Sequence, residues 1–226
     1  MLKSFWLEDQ AASCKGEHMT RFFLDEREIT PPSDIFSLNQ ILKHVESVHL
    51  SPNTVVRQIW IDGSPFSIPT ADGEADFSLE VSQREKIEIF TGTVTEIARE
   101  SIQDALQYLN RVETATPSLI LSFQDLPGPE TFEGIKQLYQ GLYWLIVLLS
   151  KLKANFQIDF ESTVIQGALV SEHHNKFISV LKQLIASQEK RDFVLTADLL
   201  EYEILPLVPI WRKMFCIFLD KINASQ

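Results

Sequence analysis

The chain is short of the residues that most enzyme chemistry needs. It has 2 cysteines among 226 residues, Cys14 and Cys216, too far apart for a disulfide framework and without the paired spacing of a zinc site. That usage fits a reducing, cytoplasmic setting. The 8 glycines are scattered, so neither a dinucleotide fingerprint nor a phosphate loop is present. No Gly-x-Ser-x-Gly elbow occurs, and neither cysteine has a histidine arrangement that reads as nucleophile and base. Basic residues are outnumbered, with 20 Lys and Arg against 31 Asp and Glu, for a formal net charge of -11 and no basic run. Nucleic-acid binding draws most of its affinity from Lys and Arg on phosphate, so this balance argues against that class of partner. Long hydrophobic runs are missing as well: Leu142 to Leu149, the most apolar stretch, is far short of the roughly 20 residues that span a bilayer. No membrane contact is expected.

The opening residues MLKSFWLEDQ hold three consecutive apolar side chains before Glu8 and Asp9 interrupt, which is not a secretory signal. Residues 1–18 are expected to form a flexible tail, with Phe5, Trp6 and Leu7 as a short docking motif at most. From Thr20 the pattern becomes β-rich. Two hairpins are predicted, one turning at Asp25-Glu26 and one at Asp62-Gly63, where glycine accepts the positive φ of a tight turn. Their sequences, FFLDEREI and IWIDGSPF, read alike because they meet the same constraint. Between them, Ser37 and Gln40 have capping-box spacing ahead of an apolar stripe at Leu38, Ile41, Leu42, Val45 and Val48, which predicts a helix to about His49. An acidic loop over Pro69–Glu80 then precedes a strand at Lys86–Phe90. The sum is a ββαβββ, β-grasp-like domain over 19–91.

Beyond Gly92 the chain reads helical, so the fold class is α+β with an up-and-down bundle of about four helices over 92–226. One helix is predicted from Val94 to near Arg111. Thr116-Pro117 then looks like a cap opening a short helix through Phe123, and Gly128-Pro129 repeats that device for a helix to Lys153. That helix is apolar nearly all round from Leu142 to Leu149, which predicts the most central place in the bundle, with Gly141 admitting a close neighbour. Asn155 to Gly167 fits strand or helix equally. Helical spacing resumes over Asn175–Ala186.

The final run, Phe193 to Leu219, carries one deep stripe from Leu200 through Ile204, Leu207, Val208, Trp211, Phe215 and Phe218. A second apolar group, Leu195, Leu199 and Tyr202, falls on the opposite side of the same predicted helix, with Asp198 and Glu201 at its rim. Pro206 and Pro209 predict a kink near Tyr202 to Pro206. This two-faced helix makes Leu195, Asp198, Leu199, Glu201 and Tyr202 the candidate partner-binding residues. The reading that follows is a non-enzymatic protein-interaction or adaptor protein, chaperone-like and bacterial in its compact acidic composition, acting on a protein partner or a second copy. No cofactor is implied.

Two alternatives come from other classes. A metal-dependent enzyme would use carboxylates and histidines of the bundle, but a di-metal bundle site takes two Glu-x-x-His motifs. The chain has one, Glu46 to His49, and it lies in the small domain. His173 and His174 are adjacent and point about 100° apart on a helix. Asp72, Glu74 and Asp76 cluster acids without the ligand order of a calcium loop. The other alternative is a small-ligand sensor with its cavity between helices. Trp144 and Trp211 are expected in the core rather than against a cofactor.

Overall fold

The computed structural model describes residues 20–66 and 79–224. The expected tail, most of the acidic loop and the acids Asp72, Glu74 and Asp76 lie outside the described residues. The chain divides into two compact units, Met1–Thr93 and Val94–Gln226.

In the first unit a five-stranded sheet is built from β1 (Arg21–Leu24), β2 (Arg27–Ile29), β3 (Thr54–Ile61), β4 (Ser64–Phe66) and β5 (Lys86–Thr93). Its order is β2-β1-β5-β3-β4, with β1 parallel to β5 and the other pairs antiparallel. This is the mixed sheet of a β-grasp unit, and α1 (Leu38–Val48) supplies its helix. The capping box forms: Ser37 Oγ accepts from the Gln40 amide at 3.4 Å, and Gln40 Oε1 accepts from the Ser37 amide at 3.0 Å. Leu38, Ile41 and Val45 of α1 pack with Phe22, Ile59, Ile61, Ile87 and Ile89 of the sheet. That cluster is what makes the small unit stable, since a sheet this size needs one covered face.

Both hairpin turns place their two residues at positive φ: Asp25 at 46° and Glu26 at 68°, Asp62 at 51° and Gly63 at 78°. The first turn has no glycine, and each non-glycine residue there is held against a steric penalty of roughly 1 kcal/mol. The aspartates compensate by clasping β5. Asp25 accepts from the Thr91 amide at 2.8 Å and from its hydroxyl at 2.7 Å, while Asp62 accepts from the amides of Glu85 and Lys86 at 2.8 and 2.9 Å.

The second unit contains α2 (Val94–Gln124), α3 (Pro129–Phe156), α4 (Val170–Glu189), α5 (Phe193–Asp198) and α6 (Leu205–Ala224), with the widened turn Leu199–Ile204 joining the last two. Four rods result, because α5, the widened turn and α6 run on without a break. The predicted stop after Arg111 is absent. The buried stripe Leu109, Val112, Thr116, Ile120, Phe123 continues straight through Thr116-Pro117, so α2 is one helix with Pro117 inside it. Pro117 leaves the Glu113 carbonyl without its donor, but both residues are exposed and water can take the place. The segment left open between strand and helix forms a loop and a minimal hairpin, β6 (Val164–Ile165) and β7 (Ala168–Leu169), whose turn residues Gln166 and Gly167 have φ of 50° and 84°.

α3 is not the central helix. It packs on α2 and only lightly on α4, and Tyr143 is exposed, whereas the C-terminal rod packs extensively on both α2 and α4 and also meets β6. Trp211, Phe215 and Phe218 of α6 are the largest fully buried side chains, with the Trp211 ring 4.0 Å from that of Phe177 on α4. The aromatic bulk in α6 outweighs the leucine circumference of α3, because burial scales with apolar area.

Candidate functional site

The widened turn falls within the run of candidate residues. It closes with an amide bonded to the carbonyl five residues earlier, Leu205 to Leu200, so it holds one residue more than an α turn. The cause lies in Pro206, whose ring would crowd the Tyr202 carbonyl in an α-helix; widening the turn relieves that overlap. The widening begins at Leu199, whose amide still donates to the Leu195 carbonyl, so it alters the spacing toward Tyr202 and not that between Leu195 and Leu199. Leu199 turns inward beside Leu200 and is buried, while Leu195 and Tyr202 are exposed. Asp198 is exposed and Glu201 half-buried. The five residues therefore do not form one apolar face: Leu199 belongs to the core, and Leu195, Asp198 and Tyr202 form an exposed edge.

Two contacts fix that edge. Lys176 of α4 meets the Glu203 carboxylate at 3.1 Å beside the widened turn. At the start of α5, Asp192 Oδ1 accepts from the Leu195 amide at 3.0 Å as a helix cap. A buried hydroxyl cluster ties this cap to α4: Thr196 Oγ1 lies 2.9 Å from Ser187 Oγ, receives the Gln188 amide at 2.8 Å and donates to the Asp192 carbonyl at 2.8 Å. Such a satisfied network sets the direction in which Phe193, Val194 and Leu195 leave the bundle.

Three phenylalanines bring that exit point to the far end of two other helices. Phe123 closes α2, Phe132 opens α3 and Phe193 opens α5, and their ring centroids are 5.8 to 6.2 Å apart. Around this trio the bundle leaves large apolar side chains in water. Leu126 is 85 % exposed, Val194 70 %, Leu121 66 %, Leu195 42 % and Phe132 41 %. Single exposed leucines are ordinary; here the exposed residues other than Phe132 itself each stand within three positions of one of the three rings. Sequence periodicity had assigned only Leu195 to this surface. Leu126 was detectable, since it stands in Leu126-Pro127-Gly128-Pro129, a turn with no helical stripe to bury it. Phe132 stands in the first turn of α3, which leaves it half-covered.

The residues considered for metal chemistry are dispersed. Among the described residues no three His, Cys, Asp or Glu side chains are gathered to hold an ion. His173 is buried with Nε2 2.8 Å from the Ile165 carbonyl. His174 packs edge-on against Phe160, and burial, then the Lys153 charge, pushes its pKa below the ordinary imidazole value. Among the described residues no helix is long and apolar enough to cross a membrane.

With this geometry in hand, the chain belongs to the family described as Domain of unknown function (DUF8042). The match spans residues 100–214, just over half of the chain, from the first turns of α2 to the middle of α6. It covers the trio of rings, the exposed edge and the widened turn, and none of the N-terminal sheet. No curated protein and no solved structure matches the chain.

Proposed function

We propose that the helical unit is a non-enzymatic protein-interaction or adaptor module whose contact surface is the apolar tip around Phe123, Phe132 and Phe193 and the adjoining edge of Leu195 and Tyr202. The observation that carries this reading is that Leu121, Leu126, Val194 and Leu195, all exposed, flank in sequence the three rings that meet at the ends of α2, α3 and α5. The partner this surface suits is an amphipathic helix, its apolar residues on the tip and its Lys or Arg residues toward Glu130, Asp192 and Asp198. All three of those acids are exposed. A helix-in-groove contact of this kind is how a chaperone holds a subunit before assembly.

The test is site-specific photo-crosslinking in the native host, with the reactive side chain placed in turn at Leu126, Leu195 and Tyr202, and at Asp104 and Lys182 as exposed controls elsewhere on the bundle. One partner species recurring at the three tip positions and absent from the controls is expected. Equal adducts at all five positions, or none at the tip, refute the proposal.

A further inference from the structure

A separate feature lies between α2 and α3. Two close approaches of these helices bracket it. Leu119 Cδ1 lies 2.8 Å from where a Cβ on Gly134 would sit, and the Tyr108 ring occupies the space a Cβ on Gly141 would need. Between these points α2 presents Arg111, Val112, Ala115 and Thr116, and the small Ala115 and Thr116 side chains leave a cleft of about 250 Å³ that Val112 and Leu138 also line. With roughly 30 Å³ as the share of one water, it has room for about eight non-hydrogen atoms. This is below the size that drug-like ligands take.

The cleft has a cation at its mouth. Arg111 sits with its guanidinium carbon 5.8 Å from the Tyr108 ring centroid. Tyr108 is itself immobilised, since its hydroxyl donates to the Leu138 carbonyl at 3.0 Å and its ring meets Trp144 edge-on at 6.3 Å. Among the described residues no carboxylate pairs with Arg111, whereas Arg84 and Arg212 each have one. An arginine kept on a rigid aromatic support beside an apolar hollow, and left without an anion, is prepared for a planar one. Gln137 adds an amide that is only weakly engaged, donating to Glu133 at 3.3 Å. Glu133 puts one negative charge near the opening, partly offset by Lys136 at 3.8 Å, and so disfavours ligands carrying a second anionic group.

We infer that this cleft binds a small monocarboxylate with a flat or branched apolar body, the carboxylate on Arg111 and the body against Val112, Thr116 and Leu138. A free small acid and the terminal carboxylate of a peptide ending in an apolar residue share this chemistry. Benzoate probes the first and N-acetyl-valine the second. Amide resonances of the full chain are followed by NMR during titration with each, with benzyl alcohol, benzylamine and phthalate as controls.

Saturable shifts centred on Arg111 and Gly134 are expected for at least one monocarboxylate, with Kd of about 1 mM or tighter for so few atoms. The tighter of the two identifies the source. Arg111→Gln should weaken binding at least tenfold, and Ala115→Phe, which fills the cleft from its exposed side, should abolish it with the melting temperature nearly unchanged. The inference fails if neither acid gives saturable shifts up to about ten times that concentration. It fails equally if benzyl alcohol binds as well as benzoate, or if Arg111→Gln leaves both acids bound.

Discussion

Two long rods of this protein carry proline in their interiors, and they respond differently. α2 takes Pro117 within 31 residues of α-helix, while the C-terminal rod widens by one residue just ahead of Pro206. The local chemistry is the same in both, a lost amide donor and a ring against the carbonyl four residues back. What differs is the demand on either side. In α2 the buried stripe on both flanks of Pro117 keeps one unbroken α spacing, so inserting a residue would turn Ile120 and Phe123 out of the core. In the C-terminal rod the buried positions Leu199, Leu200, Ile204, Leu207, Val208 and Trp211 accommodate an extra residue, because Leu199 and Leu200 both face inward and the step from Leu199 to Ile204 is five, one more than an α turn takes. The insertion is tolerated only where the core pattern already contains it.

Removing single residues makes that contrast measurable. Deleting Ser118 from α2 should rotate Ile120 and Phe123 by about 100° away from the core. The loss is about 5 kcal/mol or more, comparable with the whole stability of a domain, and the cooperative melt of the helical unit should disappear. Deleting Glu201 from the widened turn should leave both flanks on their faces and restore only the overlap of the Pro206 ring, costing about 3 kcal/mol. That loss should be recovered by adding Pro206→Ala. Urea titrations of the three variants decide the matter, and equal losses for the two deletions would mean that the widened turn has no special register.

A smaller effect distinguishes the prolines themselves. Pro117→Ala should stabilise the chain by about 1 kcal/mol, because alanine supplies the missing donor in an α-helix. Pro206→Ala in the otherwise intact chain should change stability by less than about 0.5 kcal/mol, since the turn has already relieved the overlap and proline's restriction of the unfolded chain is lost. A shared gain at both sites, read from denaturation midpoints at constant slope, would remove the distinction.

The same contrast explains how much was legible beforehand. The Asp62-Gly63 turn announces itself, because glycine at positive φ is a local requirement. The Asp25-Glu26 turn is weaker in the sequence, and what secures it is Thr91, on a strand 66 residues away. The ββαβββ order and the α1 stripe were readable from period and caps, whereas the parallel pairing of β1 with β5 depends on partners more than 60 residues apart. In the helical unit, element type was readable from the 3.6 period, and the breaks were not. A proline marks where a helix would prefer to stop, but only the facing helices settle whether it stops, continues or widens. The exposed edge was least legible: Leu199, one α turn from Leu195, belongs to the core, because the facing helices and not the period decide which side is covered. The apolar residues Leu121, Leu126 and Val194 have no periodic signature, and they emerge only once three helix ends meet.

The central claim is that the start of the C-terminal rod carries no second apolar face: Leu199 belongs to the core and Leu195 to the exposed edge, although they stand one α turn apart. Chemical denaturation of Leu199→Asp and Leu195→Asp, each alone, tests it most directly. Leu199→Asp should cost about 4 kcal/mol or more by burying an unpaired carboxylate, and Leu195→Asp less than about 0.5 kcal/mol. Similar losses for the two would contradict the account.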